Sequence, residues 1–428
     1  MPDSHALSRG AASPAQIYRS KNTPAVTLSD SEAQVDMRKV RAYRLQRVRE
    51  GLKARDYGAC VLYDPINIRY ATGTRNMTVW CLHNAVRYCF IPAEGPVTLF
   101  DFHNCEHLSA GIETVSEVRH GTSWFYFGAG PRSEEKSKVW AAEIADLVKA
   151  HGGGNARLAM DHCDPFGVAA LGTHGISVHD GQEVLERARC IKNDDEIALM
   201  NVAIGVCEIG MARMREALEP GMTENELWSI LHQTNIAMGG EWIETRLLAS
   251  GGRTNPWFHE SSDRIIRPGE LVSFDTDLIG PFGYCADISR TYFCGPGRPS
   301  DEQRRLYRMA WDQIHTNMEI LKAGMTFREL ADKSFRLPEK CLPQRYSVVY
   351  HGVGMADEYP HCAYREDIES GGYDGVIEPG MTLCVESYIG EVGGTEGVKL
   401  EQQVLVTDKG VELLSTFPFE DELLVKEI

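Results

Sequence analysis

The sequence predicts a two-domain α+β protein whose C-terminal domain is an internally duplicated antiparallel sheet covered by helices. Three observations lead to this prediction. A chain of 428 residues exceeds the usual size of a single domain. Its N-terminal part alternates short apolar runs with helical stretches, which is typical of an α/β unit. Its C-terminal part contains the same order of capped helix, Pro-Gly turn and acidic strand twice.

The composition is that of an acidic globular protein, with a formal net charge of -17 and 43% hydrophobic residues. No long run of Lys and Arg offsets this charge, so we expect neither a nucleic-acid partner nor a membrane partner. The twelve cysteines contain no C-x-x-C pair, which indicates reduced thiols rather than a disulfide framework. The N-terminal segment lacks the apolar core of a signal peptide, and no apolar run of about 18 residues indicates a membrane span. The expected location is therefore cytoplasmic.

The N-terminal domain, residues 1–190, is predicted as an α/β unit preceded by a flexible arm. The arm covers residues 1–30, which are rich in Ser, Ala and Pro. Asp64-Pro65 closes the first predicted strand. The periodicity predicts helices over 35–55 and 137–150, and strands over 59–63, 97–100 and 157–160.

A long helix is predicted to open the second domain, residues 191–428. Asn193 is a suitable N-cap, and acids fill the first turn, where they interact favourably with the helix dipole. We expect this helix to run to about Leu218 and the domain boundary to lie just before it.

Two segments of the second domain repeat one another. Each begins with a Thr-x-x-Glu capping box, and in each a Pro-Gly turn precedes a strand carboxylate by six residues. The matched positions are Thr223 and Thr326, Gly269 and Gly380, and Asp275 and Glu386. This correspondence predicts two halves related by a pseudo-two-fold axis, with their acidic strands back to back.

The first acidic segment, residues 271–293, predicts an antiparallel ribbon with a turn at 281–283. Opposed residue numbers in such a ribbon have a constant sum, so Asp287 should face Asp275 or Asp277. Since the latter two are separated by two positions, they should share one strand face. Three carboxylates are therefore expected to converge.

The second acidic segment, residues 383–406, predicts another ribbon. Glu386 faces Glu401 if the hairpin is centred between Gly393 and Gly394, a pair that suits a tight turn. Strand-forming apolar residues flank both glutamates and should bury them. The imidazole candidate is His351, because the glycines that follow it allow close backbone approach.

Buried carboxylates in this number need compensation, because like charges away from water are costly or force protonation. Two divalent cations would supply it, whereas the alternative is that the acids lie on solvated strand edges. Bridging carboxylates with one imidazole suit Fe, Zn, Mn, Co or Ni, and the residues do not select among these metals. The predicted metal ligands are Asp275, Asp277, Asp287, His351, Glu386 and Glu401.

These residues, in this order, resemble the metal-binding motif of the creatinase/aminopeptidase-P/methionine-aminopeptidase superfamily. All but Asp277 take the five ligand positions of that motif. The segment 63–73 is similar to creatinase-type N-terminal domains, so the resemblance covers nearly the whole chain. It implies the pita-bread fold for the C-terminal domain, two divalent metal ions, and a homodimer in which the partner's N-terminal domain borders the site.

The sequence departs from the peptidases of this superfamily at two positions. Asp357 replaces a histidine of a His-Glu-x-Pro context, and Asp277 is an additional acid. Both departures resemble the branch of the superfamily that consists of dimethylsulfoniopropionate (DMSP) lyases. That resemblance implies six metal-binding side chains, Asp357 as the catalytic base and Tyr346 at the site.

The reaction implied is the elimination of DMSP, a small zwitterion, to acrylate, dimethyl sulfide and a proton. His259 lies where the superfamily carries a histidine that points into the site, and it is a further catalytic candidate. Aromatic faces bind cations such as the sulfonium, although each aromatic residue is also consistent with core packing. The candidates are Trp80, Trp124, Tyr126, Trp257, Tyr346 and Tyr364.

Two other functions stay open from the sequence. A creatinase-like or Xaa-Pro-peptidase-like metallohydrolase would need a substitute for the missing histidine, and His361 is available for this role. A binding protein on the same fold is the second alternative, although every ligand position is filled. No phosphate-binding, dinucleotide-binding or serine-hydrolase motif indicates another chemistry.

Overall fold

The computed structural model describes residues 35–424, which form two compact units. One unit is Asp36–Arg189, and the other contains the described residues from Cys190 onward. The division between Arg189 and Cys190 lies next to the domain boundary that we expect at residues 190–191. The assignment of residues 1–190 and 191–428 to two domains stays a prediction. The flexible arm predicted at residues 1–30 lies outside the described residues.

The first unit is built on a six-stranded mixed sheet. Its helices are α1 (Met37–Ala54), α2 (Pro65–Thr72), α3 (Thr78–His83), α4 (Tyr126–Ala129), α5 (Ser133–His151), α6 (Pro165–Gly172) and α7 (Gln182–Arg189). Its strands are β1 (Ala59–Leu62), β2 (Tyr88–Pro92), β3 (Thr98–Asp101), β4 (Glu117–His120), β5 (Arg157–Met160) and β6 (Ser177–Asp180). The strand order is β4-β3-β2-β1-β5-β6, with β1 antiparallel to β2 and parallel to β5.

The predicted elements of this unit are present with small shifts at their ends. The strand predicted over 157–160 coincides with β5, whereas α5 begins at Ser133, earlier than predicted. Asp64 does more than close β1, because its carboxylate accepts hydrogen bonds from the backbone N–H groups of Ile66 (2.7 Å) and Asn67 and thereby caps α2.

Three of the aromatic candidates belong to this unit. Trp124 is buried and donates its indole N–H to the Tyr63 hydroxyl at 3.0 Å. Trp80 packs against Phe102, with 5.3 Å between ring centroids. Tyr126 is largely exposed. Within the unit, Trp124 therefore has the packing role that was the alternative to sulfonium binding.

The second unit contains three antiparallel sheets. Its helices are α8 (Asp194–Ala217), α9 (Glu224–Ala237), α10 (Asp301–Ile320), α11 (Phe327–Lys333) and α12 (Ile368–Gly371). Its strands are β7 (Trp242–Ile243), β8 (Leu248–Ser250), β9 (Leu271–Phe274), β10 (Leu278–Ile279), β11 (Cys285–Ala286), β12 (Arg290–Phe293), β13 (Tyr350–Val353), β14 (Asp357–Cys362), β15 (Thr382–Gly390), β16 (Gly397–Thr407) and β17 (Gly410–Leu413). The sheet orders are β11-β10-β7, β12-β9-β8 and β14-β13-β15-β16-β17. This α+β architecture confirms the predicted fold class.

Helix α8 begins and ends as predicted. Asn193 and Glu196 form a reciprocal capping box at its start, and its last residue precedes Leu218. Of the described helices, α8 alone is long and apolar enough to cross a membrane. However, 83% of its most apolar stretch of 18 residues is buried inside the unit. A core helix of a globular domain has the same properties.

The duplication is visible in matched hydrogen bonds of the two halves. Thr223 and Thr326 both form complete capping boxes, at the starts of α9 and α11. Each also forms an isolated β-bridge, with Ile265 and Val376 respectively. The two Pro-Gly turns adopt the same left-handed conformation, with φ of 84° at Gly269 and 86° at Gly380. Both halves therefore fold as the same local unit.

The two acidic ribbons lie side by side, joined where β12 meets β16. The Glu401 backbone N–H donates to the Ser289 carbonyl at 3.2 Å. The Thr291 hydroxyl donates to the carbonyl of Lys399 and accepts from its backbone N–H. This junction brings the carboxylates of the two ribbons together.

Glu208, on the buried side of α8, gives the fold a pH-sensitive stability. Burial raises the pKa of its carboxyl to about 8, although the N–H of Thr416, at 2.6 Å, opposes the rise. Because the pKa is higher in the folded state, this group stabilises the protein fully below its ordinary pKa. That contribution is lost as the pH rises through about 8.

We therefore expect Glu208→Gln to flatten the pH dependence of the unfolding free energy between about pH 4.5 and 8. The variant should lack a decrease in unfolding free energy on the order of 4 kcal/mol that Glu208 causes in wild type over this pH interval. Urea unfolding at a series of pH values measures it, with Glu216→Gln on the exposed side of the same helix as the control. Parallel pH profiles of wild type and Glu208→Gln would contradict the expectation.

Candidate metal centre

The first ribbon brings its three aspartates together by a route that differs from the prediction. The ladder places Asp277 opposite Asp287, which is one of the two predicted registers. The chain, however, leaves the strand between β9 and β10, and Asp277 has a left-handed φ of 33°. Simple alternation along one strand is therefore not what makes Asp275 and Asp277 converge. Thr276 holds the break, since its hydroxyl donates to the Ala286 carbonyl at 2.9 Å.

The second ribbon has the predicted register, with Glu386 directly opposite Glu401. Its turn is wider than the predicted tight Gly-Gly hairpin, because pairing ends at Gly390 and Gly397 and residues 391–396 form a loop. The Asn255 amide nitrogen donates to the carbonyls of residues 391 and 394, at 2.9 and 3.0 Å. A contact distant in sequence therefore stabilises this loop.

His351 lies on β13 between the ribbons. Its Nε2 atom is 3.3 Å from Glu386 Oε1, 3.5 Å from Asp287 Oδ2 and 3.6 Å from Glu401 Oε1. A Cβ atom on Gly352 would lie 2.3 Å from the Tyr359 carbonyl oxygen, so only glycine allows β14 to approach this closely.

All six predicted metal-binding residues come together in this cluster. They form three groups, and within each group one ligand atom per residue lies within 4.8 Å of the others. The groups are Asp275, Asp277 and Asp287; Asp275, Glu386 and Glu401; and Asp287, His351, Cys384 and Glu401. Asp275, Asp287 and Glu401 each belong to two groups, so these three carboxylates connect the groups.

The pKa values of the cluster reflect burial and mutual repulsion. Burial and the neighbouring carboxylates raise the pKa of Asp277 and Asp287 well above the ordinary range. The pKa of Glu386 is raised to about 7, mainly by burial and by Glu401. Glu401 is the exception, because Lys399 and His351 outweigh its burial and lower its pKa. The acids thus need either protons or cations.

The sequence analysis missed Lys399, a fully buried lysine within this cluster. Its Nζ donates to Ser289 Oγ at 2.6 Å and to Glu386 Oε2 at 2.7 Å, and it lies 3.0 Å from Asp275 Oδ2. Burial alone would lower the pKa of Lys399, but the surrounding carboxylates raise it. Its position two residues before Glu401 on β16, hence on the same strand face, was the available signal.

The cluster also contains a carboxylate oxygen suited to a metal ion. Glu401 Oε1 is fully buried and accepts no hydrogen bond from residues 35–424. Burying such an acceptor without a partner costs about 1–3 kcal/mol, which a bound cation would offset. The oxygen-rich donor set with one imidazole fits divalent ions.

Asp357 begins β14 at the mouth of the cluster. Its side chain is 56% exposed, and Oδ1 lies 3.6 Å from Nδ1 of His351. The net pKa of this carboxyl lies above the ordinary value, because partial desolvation beside the cluster and the charge of Glu401 raise it more than His351 lowers it. The next residue, Glu358, is buried and forms an ion pair with Lys192. Burial alternates along the strand, so the two acids point to opposite sides.

Tyr346 lies against the cluster through its ring. The ring centroid is 4.5 Å from Nζ of Lys399, a cation–π distance, and 5.2 Å from the nearly parallel ring of Phe258. Burial and the carboxylate of Glu386 raise the pKa of the Tyr346 phenol well above the ordinary range.

The remaining candidates of this unit are His259, Trp257 and Tyr364. Nδ1 of His259 lies at hydrogen-bonding distance, 3.1 Å, from the carbonyl oxygen of Pro256. Its role in the site stays a prediction. Trp257 is buried beside Tyr388, and the Tyr364 hydroxyl accepts a hydrogen bond from Gln313 at 3.2 Å. Trp257 and Tyr364 therefore have packing roles.

Comparison with known proteins bears on this site. Residues 44–191 match the Creatinase/Prolidase N-terminal domain, and residues 198–408 match Metallopeptidase family M24. A protein of Roseovarius nubinhibens named dimethylsulfoniopropionate lyase DddP is 44% identical over 394 residues, which is 91% of this chain and 88% of the relative.

The chain belongs to the M24 family. A second protein named dimethylsulfoniopropionate lyase DddP, from Roseobacter denitrificans, is 41% identical over the same share of both chains. The Xaa-Pro dipeptidase from Bacillus anthracis superimposes on this M24 chain with a TM-score of 0.71 at 23% identity, covering 89% of this chain and 99% of its own. The superposition confirms the pita-bread fold, and the two domain matches together with the two relatives confirm the predicted superfamily. Membership of a metallopeptidase family implies divalent metal ions.

Proposed function

We propose that the chain is a DMSP lyase, a carbon–sulfur lyase that eliminates dimethyl sulfide from DMSP at a dinuclear metal site. Two relatives that match nearly the whole chain carry that name. The observation that carries the proposal is Asp357, which stands at the mouth of the acidic cluster where the superfamily resemblance expects a peptidase histidine. A carboxylate there can accept a proton, as an elimination requires.

Asp357 acts as the base. It takes a proton from the carbon next to the substrate carboxylate, and the electron pair of that C–H bond becomes the double bond of acrylate. The C–S bond breaks, and its electron pair leaves with sulfur as neutral dimethyl sulfide. The proton on Asp357 then passes to water.

Six side chains of this chain would hold the metal ions. When bound, divalent ions would stabilise the negative charge that develops on the substrate carboxylate. The residues in question are Asp275, Asp277, Asp287, His351, Glu386 and Glu401. Asp277 accepts a hydrogen bond from the Thr245 hydroxyl at 2.6 Å, which orients it towards the others.

Tyr346 is proposed to contact the substrate. Its ring already has one cation, Lys399, at 4.5 Å, and the substrate brings a second positive centre, the sulfonium. Like charges repel, and the ring of Phe258 also stacks on Tyr346 at 5.2 Å, so we propose that the phenol hydroxyl of Tyr346, rather than its ring face, contacts the substrate. His259 stays a proposed participant in substrate binding or proton relay.

Hydrolysis is the second candidate, and one observation favours it. His361 lies directly opposite His351 in the ladder between β13 and β14, on the same side of β14 as Asp357. It is exposed, and its backbone N–H donates to the Tyr373 hydroxyl at 2.6 Å. A histidine at this place is the available substitute for the missing peptidase histidine.

A substrate panel separates the two functions. Purified protein is given DMSP or an Xaa-Pro dipeptide, before and after removal of metal by a chelator. We expect dimethyl sulfide in the headspace only from DMSP, its loss after chelation, and its return on adding a divalent metal. Release of proline from the dipeptide without any dimethyl sulfide would establish the hydrolase instead.

A homodimer, a cytoplasmic location, and the absence of nucleic-acid and membrane partners are likewise proposed. The dimer follows from the superfamily resemblance. The absence of nucleic-acid and membrane partners follows from the acidic composition, and the cytoplasmic location follows from cysteines that indicate reduced thiols. Sedimentation at micromolar concentration tests the dimer, which predicts twice the mass of 47.7 kDa.

A further inference from the structure

We infer that Cys384 is an additional ligand of the metal centre, binding the cation held by Asp287, His351 and Glu401. One ligand atom from each of these four buried residues lies within 4.8 Å of the others. The cysteine is thus part of a four-donor group, with one sulfur, one imidazole nitrogen and two carboxylate oxygens.

The backbone fixes the direction of this thiol. Along β15, Cys384 and Glu386 point to one face, while Leu383 and Val385 point to the other and belong to the hydrophobic core. On the neighbouring strand β13, the residue paired with Cys384 is His351. The sulfur therefore lies on the same face as the metal-binding carboxylates because of strand alternation.

The present contacts of the thiol are long. Its Sγ atom lies 3.7 Å from the carbonyl oxygen of Asp287 and 3.8 Å from Oδ2 of the same residue. Thiols are weak hydrogen-bond donors, so these contacts contribute little. A cation about 2.3 Å from sulfur and about 2.0–2.2 Å from oxygen fits between two atoms this far apart.

A second observation indicates a cation at the same place. Oε1 of Glu401, one of the four residues of the group, is fully buried and accepts no hydrogen bond from the described part of the chain. Its Oε2 atom, by contrast, accepts from the Ser289 hydroxyl at 2.8 Å. This unpartnered oxygen lies 3.6 Å from Nε2 of His351, so one cation could bind both atoms.

Coordination by Cys384 changes the chemistry of the site. On binding, the thiol gives its proton to solvent, and the thiolate sulfur donates an electron pair to the cation. A soft sulfur donor favours Zn, Fe or Co over Mn or Mg, which prefer oxygen. The inference rests on the metal centre of the proposed function but not on its substrate.

Cobalt(II) substitution of the full-length protein tests this inference without substrate. Cobalt bound to a thiolate gives a near-ultraviolet sulfur-to-metal charge-transfer absorption. We expect this absorption in wild type and in Cys294→Ser, a control that changes a buried cysteine at the end of β12, and its loss in Cys384→Ser. Metal content is measured on each sample.

The preference for zinc over manganese in competition should fall in Cys384→Ser, because the variant replaces a soft sulfur donor by oxygen. Identical near-ultraviolet spectra of wild type and Cys384→Ser, both with cobalt bound, would overturn the inference. X-ray absorption of the zinc-loaded wild type needs no variant, and a shell without sulfur at about 2.3 Å would overturn it equally. Absence of lyase activity leaves both readouts unchanged, so the two proposals fail separately.

Discussion

Asp357→Asn should abolish most lyase activity while the protein keeps its metal. The amide cannot accept the substrate proton, and general-base catalysis contributes about 10²–10⁴-fold, so kcat should fall by that factor. Asp357 belongs to none of the three metal-binding groups, and its side chain is half-exposed. Metal content and KM should therefore change little. Headspace dimethyl sulfide and elemental analysis of the same preparation measure both.

Two companion variants sharpen this result. Asp357→Glu keeps a carboxylate at a shifted position and should lose less activity than the amide. Asp374→Asn, an exposed exchange of the same kind, should match wild type. Wild-type kcat in Asp357→Asn would remove Asp357 from the mechanism and would return His361 to consideration.

Lys399→Met should strongly destabilise the metal-free protein and destabilise the metal-loaded protein far less. Without metal, the ammonium is the charge that contacts Asp275, Glu386 and Glu401. Removing one partner of a buried ion pair costs about 3–5 kcal/mol. With two divalent ions bound, the carboxylates have other positive partners, and the loss of one ammonium matters less. Unfolding free energies measured with and without metal give the difference.

The controls for this variant separate charge from size. Lys399→Arg keeps the charge in a larger side chain, and Lys409→Met removes an exposed lysine that follows the same strand. Metal should stabilise Lys399→Met more than it stabilises either wild type or Lys409→Met. An equal loss of stability with and without metal would mean that Lys399 acts by packing rather than by charge.

Much of the site could be predicted because strand pairing is a simple rule. The register that joins Glu386 to Glu401 follows from residue numbers and one glycine pair, and the structure confirms it. The capping boxes at Thr223 and Thr326 are equally local, since four residues determine each. Patterns that depend on a few neighbouring residues were therefore sufficient for the duplication and the fold.

Features that depend on distant partners were not predictable in this way. The left-handed backbone of Asp277 is held by Thr276, which bonds to the opposite strand, and the wide loop at 391–396 is held by Asn255. Lys399 and Cys384 were within reach of the alternation rule, because each is two residues from a predicted ligand. Neither was predicted as part of the metal centre, because only carboxylates and imidazoles were considered as metal ligands and the cysteine only as a nucleophile.

The ion pair of Lys192 and Glu358 has a consequence for how this site acquires new chemistry. The buried Glu358 side chain anchors β14 through its ion pair with Lys192. It also packs against Gly354, where an added Cβ atom would collide with its carboxylate. Asp357, the preceding residue, points to the other side of β14, where its side chain is exposed at the mouth of the acidic cluster. A reactive group can thus be exchanged at residue 357, histidine for aspartate or the reverse, while the scaffold behind it stays as it was. One codon would then suffice to place a different proton acceptor beside the same carboxylate cluster.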